Sequence, residues 1–195
     1  MTSTASPQDA PAFLDGQLLI AMPGMADMRF SRAVIFLCVH SPEGAMGLIV
    51  NKPAPDLRFA DLLKQLEIPM GPEAAQAPVH FGGPVQHGRG FVLHSRDYSA
   101  PGASLAVNDA FAMTATLDVL QDMARGAGPE RAILALGYSG WGPGQLEGEI
   151  QANGWLVAPA DAEVVFDVPN AEKWEAALRR ISIDPRLLSA EGGRA

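Results

Sequence analysis

Apolar positions along the chain follow two periods. Leu18 to Met22 and Ala33 to Val39 are short unbroken apolar runs, followed by Pro-Gly and, one residue on, by Ser-Pro, and both predict strands buried on both faces. Ser41 to Ala45 (SPEGA) supplies turn residues ahead of Leu48-Ile49-Val50, predicting a hairpin that returns a third strand beside the second. Phe59, Leu62, Leu63 and Leu66 fall at helical spacing, which predicts an amphipathic helix capped by Asp56 and stopped at Pro69. Short β candidates follow at Val79 to Phe81, Gly90 to Leu93 and Ser104 to Val107. Met113, Leu117, Leu120 and Met123 then share one helical face, with Asn108 or Asp109 as the cap and Gly126 as the stop. Ala132 to Leu136 is a further apolar strand entering a glycine-dense stretch, Gly137 to Gly144. A helix is expected from Pro143 through Ile150. A last one carries Trp174, Ala177, Leu178 and Ile181, with Asn170 at its cap. Adjacent strands joined by short turns outnumber βαβ units. The expected fold is therefore a single α+β domain: a mixed, mainly antiparallel sheet with about four packed helices.

The ends lack this patterning. Residues 1–12 are small, polar and proline-broken, and 189–195 (SAEGGRA) read the same way, so a flexible arm and tail are expected around a domain spanning 13–188. Composition narrows the class. Of 195 residues, 48% are hydrophobic, enough for a sizeable core, and the net charge of −8 repels a phosphate backbone. Direct DNA binding is not expected; it would require Arg29, Arg32, Lys52, Arg58 and Arg89 to gather on one face. The single cysteine, Cys38, lies inside an apolar run and has no intrachain partner. No Lys or Arg precedes Arg29, so a secretory n-region is missing, and no apolar run approaches the roughly 20 residues needed to cross a bilayer. A cytoplasmic protein without membrane contact is the expectation.

Candidate chemistry is sparse. His80, His87 and His94 are spaced by seven, but Gly82-Gly83-Pro84 interrupts the interval and no second thiolate exists, so no metal site is expected. Gly137-Tyr138-Ser139-Gly140-Trp141 resembles a nucleophile elbow until Trp141, which stands where the second glycine is needed, and it reads as a strand-to-helix turn. Glycines ahead of a helix can also leave backbone N–H groups free for an anion. No dinucleotide or P-loop fingerprint occurs, and no cofactor is implied. Glu147 and Glu149 read as a solvated helix face. Arg89, between two glycines, reads as one half of a structural salt bridge.

Three blocks taken in order, GAMGLIVNKP (44–53), FGGPVQHGRGFVLH (81–94) and LGYSGWGPGQLEGEI (136–150), resemble the AlgH/YqgE family of bacterial proteins. MPGMADMRF (22–30) and the Asn153, Trp155 pair extend the likeness. The resemblance implies a coiled, partly bifurcated β-sheet with helices around it, and its members are often labelled transcriptional regulators. The positions that match are Asp27, Phe30, Asn51, Gly82, Gly83, Pro84, Arg89, His94, Tyr138, Trp141, Gln145, Glu147, Asn153 and Trp155. If the three blocks meet, these residues line one polar and aromatic cleft. The function expected of such a cleft is non-enzymatic: a regulatory or adaptor protein, monomeric or weakly self-associating, that binds a protein segment or a small anionic ligand. The alternatives are a hydrolase or transferase working through Glu147, His94 or Ser139, and a transcriptional regulator acting directly or indirectly.

Overall fold

The computed structural model describes residues 13–188, so the expected arm and tail lie outside the described residues. Nine strands form one curled sheet: β1 (Gln17–Ala21), β2 (Val34–Ser41), β3 (Gly44–Ile49), β4 (Val79–Phe81), β5 (Val85–Ser95), β6 (Ser104–Ala106), β7 (Phe111–Thr114), β8 (Ala132–Trp141) and β9 (Trp155–Pro159). Their order is β6-β7-β5-β8-β3-β2-β1-β9, with β4 also on β8. All pairings are antiparallel except β4 with β8. Four α-helices pack around the sheet: α1 (Phe59–Gln65), α2 (Leu117–Ala124), α3 (Gln145–Gln151) and α4 (Lys173–Arg180). Among the described residues no helix is long and apolar enough to cross a membrane.

The period-two pattern explains why the first strands are apolar throughout. Leu18 and Ile20, with Val34, Phe36 and Cys38, enter one core beneath α4, where Trp174, Ala177 and Leu178 meet them. Leu19 and Ala21, with Ala33, Ile35 and Leu37, enter a second core on the opposite face beside Leu146 of α3. A third core joins Phe59 and Leu63 of α1 to Val119, Leu120 and Met123 of α2, over Val79, Val92 and Leu134.

β8 ties these layers together. Residues 134–136 pair with β4, and Ser139 to Trp141 pair with β3 along the same edge. At the handover Gly137 takes φ +73, and the β5 register shifts between Val85 and Gly90. The extra residue reverses the alternation: Ile133 and Ala135 face the α4 side, and after the bulge Tyr138 does so too. This fork is the bifurcation that the family resemblance implies.

Several boundaries differ from expectation for local reasons. The hairpin turn is only Pro42-Glu43, because β2 continues to Ser41 and β3 starts at Gly44. Met113 belongs to β7 and not to a helix: the Asn108 side chain accepts from the N–H groups of Ala110 and Phe111, turning the chain from β6 into β7, and α2 starts only after Thr116. Asp56 caps nothing; at the start of α1 the Asp61 carboxylate accepts from the backbone N–H and the guanidinium of Arg58. Asn170 is not the α4 cap, since its side chain is bonded to His80 Nε2. The glycine-dense stretch is strand as far as Trp141, and Pro143 lies before α3, not in it.

α4 also carries a buried cation. Lys173 is 2% exposed, and its Nζ donates to the carbonyls of Val50 and Val165, tying β3 and the 163–167 turn to the helix. Burial pushes its ammonium down to about 8, against an opposing pull from Asp167. A neutral amine still has two N–H groups for the two carbonyls. Between pH 8 and the unfolded-state value of 10.5 the unfolded chain binds more protons at this site, so this group's contribution makes stability rise with pH. Subtracting the unfolding free energies of Lys173→Met from those of the unsubstituted protein should leave a difference that climbs through that window. A flat difference would contradict the assignment.

Candidate functional site

The α4-side face of the sheet is covered at one end and open at the other. At the open end Val39 from β2, Met46 from β3, Phe91 from β5, Met113 from β7 and Tyr138 from β8 line a groove of about 650 Å³. Arg89 stands on its wall with the guanidinium carbon 5.1 Å from the centre of the Phe91 ring. Among the described residues it makes no ion pair, so the structural salt bridge expected of it is not formed. A smaller hollow of about 240 Å³ adjoins across Arg89 and Ala115, lined by Leu62, Leu66, Leu117 and Leu120.

A separate pocket of about 380 Å³ opens near Trp141, lined by Asp27, Phe30, Trp141, Gln145, Glu149 and Trp155 among others. Glu149 organises it. One carboxylate oxygen accepts both indole N–H groups, from Trp141 at 2.9 Å and Trp155 at 2.8 Å, and the other accepts from Gln145 at 3.0 Å. Gln145 and Glu149 are one helical turn apart, so α3 presents them side by side. Asp27 is held by Arg29, whose side-chain hydrogen bonds draw its carboxyl below the usual range. Sequence reasoning left Glu149 out of the cleft. The available signal was its i, i+4 relation to Gln145 together with two nearby tryptophans.

The family-matched positions therefore divide. Arg89, Tyr138 and Trp141 line the groove; Asp27, Phe30, Trp141, Gln145 and Trp155 line the pocket; Trp141 and Gly140 are common to both. The rest do not join a single cleft. Gly82 and Gly83 are buried against the backbone of residues 137–139, which removes them from any anion cradle, and Pro84 lines neither hollow. In the glycine stretch ahead of α3, where the sequence allows free N–H groups for an anion, the Gly142 N–H donates to the Gln145 side chain. Asn51 holds two backbone segments through Val34 N–H and the Arg32 carbonyl. Asn153 sits in the left-handed region at φ +57, just after α3.

The proposed acid, base and nucleophile are likewise apart. His94 is fully buried, bonded to Thr114 Oγ1 and the Ser95 carbonyl, and burial lowers its pKa. Ser139 is 1% exposed, with its hydroxyl donating to the Gly82 carbonyl. Glu147 accepts from His40 Nε2 at 2.8 Å; its own backbone N–H first, and then His40, hold its carboxyl below the usual range. Leu14 N–H donates to His40 Nδ1, so the ring is bonded on both sides. No hydrogen bond joins any two of His94, Ser139 and Glu147. The spaced histidines diverge as well: His80 bonds Asn170, His87 stacks on Phe81, and His94 faces Thr114.

The AlgH-like family (DUF179) matches residues 18–186. The chain belongs to the AlgH-like family. This AlgH-like chain is 63% identical over 183 residues to a UPF0301 protein of Ruegeria pomeroyi, covering 93% of this chain and 99% of that one. A UPF0301 protein of Cereibacter sphaeroides is 56% identical over 182 residues, with the same coverage. The solution structure of the AlgH protein from Pseudomonas aeruginosa superimposes with a TM-score of 0.76 at 41% identity, covering 97% of this chain and 100% of that one. A Corynebacterium diphtheriae protein shares the AlgH-like fold alone, at TM-score 0.71 and 23% identity over 94% of each chain.

Proposed function

We propose that this protein is a non-enzymatic adaptor or regulatory protein of the cytoplasm, which holds a protein segment or a small anionic ligand against Arg89. The observation that carries this reading is an exposed guanidinium without an acidic partner, set on the apolar wall of an open groove of about 650 Å³. An aliphatic or aromatic side chain would bury against Met46, Phe91 and Tyr138, while a carboxylate would meet Arg89 in a charge-assisted, bidentate pair. The adjoining hollow at Leu62 and Leu117 lengthens the contact, which favours an extended segment over a compact ligand. A monomer suffices for this mode of binding. The regulator label that the family carries is compatible with it through a protein partner. Direct nucleic-acid contact has less support, because Arg29, Arg32 and Arg58 are each paired with a carboxylate and Lys52 donates to the Ser31 carbonyl.

Selection of a random peptide library on the purified protein tests the proposal. Recovered sequences should place Asp or Glu beside large apolar residues. Their affinity should fall at least about tenfold in Arg89→Glu, a surface change expected to alter stability by no more than about 0.5 kcal/mol. Peptides that bind Arg89→Glu as tightly as the unsubstituted protein would refute it.

A further inference from the structure

We propose that the pocket at Phe30, Trp141 and Trp155 binds a small alkylated ammonium cation, a site distinct from the Arg89 groove and independent of the function assigned to that groove. Three aromatic rings gather there, with Trp155 nearly perpendicular to each of the other two: it lies 5.7 Å from Phe30 at 79° and 6.0 Å from Trp141 at 80°, centre to centre. They share the pocket with Asp27 and Glu149, and no Lys, Arg or His lines it. Aromatic faces beside carboxylates in a partly desolvated hollow attract a cation and give an anion nothing to bind.

The hydrogen bonds narrow the class of cation. Glu149 accepts three N–H groups, two on Oε2 and one on Oε1, and Asp27 accepts from the Arg29 guanidinium on both oxygens. A primary ammonium brings three N–H donors and finds these acceptors already engaged. An N-methylated or quaternary ammonium has few donors or none, and asks only for ring faces and a negative field. The volume of about 380 Å³ suits a small head group. The site is assembled from four elements: β8 and β9 supply the two indoles, α3 supplies the Glu149 that accepts from both, and the 25–30 segment supplies Asp27 and Phe30.

Tetramethylammonium chloride is titrated into the full chain at constant ionic strength, and the indole N–H resonances are followed by NMR. Trp174, which donates to the Ala21 carbonyl, is the internal reference. Saturable shifts confined to Trp141 and Trp155 are expected. Neopentyl alcohol, a neutral molecule of similar shape, and methylammonium should each bind at least about tenfold more weakly, and Arg89→Glu should leave the titration unchanged. Glu149→Gln keeps an acceptor and removes the charge, so a loss of about tenfold is expected; Phe30→Leu removes one ring and should cost about threefold even if Glu149→Gln fails to fold. Shifts that do not saturate, a neutral analogue or methylammonium that binds as well, or unchanged affinity in Phe30→Leu or in a folded Glu149→Gln would overturn the proposal.

Discussion

Gly83→Ala should lower the stability of the fold by about 3–5 kcal/mol, the largest effect expected of a single methyl group in this protein. A Cβ at Gly83 would stand 2.1 Å from the Tyr138 carbonyl carbon and 2.4 Å from the Ser139 nitrogen. Both are backbone atoms of β8, so no side chain can swing aside. Gly137 faces the same junction from the other strand, where a Cβ would come within 2.5 Å of the Gly83 carbonyl oxygen at a φ of +73. The two segments touch backbone to backbone where β8 passes from β4 to β3, and the chain has no other route for the fork. For a chain of this size the loss corresponds to a melting temperature lower by roughly 6–20 °C. Gly88→Ala is the matched control: a Cβ there meets nothing within 4 Å, and the change should be within about 0.5 kcal/mol. A Gly83→Ala protein that melts with the control would remove the account of the fork given above.

Glu149→Ala should be the most damaging change at the candidate pocket, at about 3 kcal/mol. Trp141 is 7% exposed and Trp155 3%, and both indole N–H groups depend on the Glu149 carboxylate as their acceptor. Each unsatisfied donor carries a penalty of about 1–3 kcal/mol, and Gln145 loses its partner as well. Glu149→Gln retains a carbonyl oxygen for the indoles and should cost less than half as much. Chemical denaturation followed by tryptophan fluorescence separates the two variants. Equal midpoints for Ala and Gln would mean that the carboxylate does not organise the tryptophans.

Sequence and tertiary structure contributed differently at the two hollows. The three family blocks are local strings, and they carried the membership; around Trp141 they supplied Gln145, while Asp27, Phe30 and Trp155 came from the flanking segments that extend the likeness. They could not show that Gly82 and Gly83 face β8 backbone while Arg89 is exposed, because both sets sit in one glycine-rich block and differ only in what lies across from them. His94 and Asn51 matched the family pattern yet serve the fold: His94 bonds to buried Thr114, and Asn51 ties the Val34 N–H to the Arg32 carbonyl. Ser139 suggested an elbow because glycines flank it. The continuation of β8 through it was invisible to a local reading, since the partners β3 and β5 lie far away in the chain.

What the sequence determined by itself is the set of elements with a strong hydrophobic pattern: the unbroken apolar runs of β1, β2 and the first half of β8, the stripes of α1 and α4, and hence an α+β fold. Those signals are intrinsic to each segment, because burial on one face or two dictates side-chain polarity at a spacing of two or three to four residues. Tertiary structure alone decided that Met113 is strand, that the glycine-dense stretch continues β8, and that the expected single cleft is two hollows separated by Trp141. For Met113 the local Asn108 turn acts together with pairing to Leu93; for the other two the deciding contacts join residues distant in the chain, and a short window holds no information about a partner it does not contain.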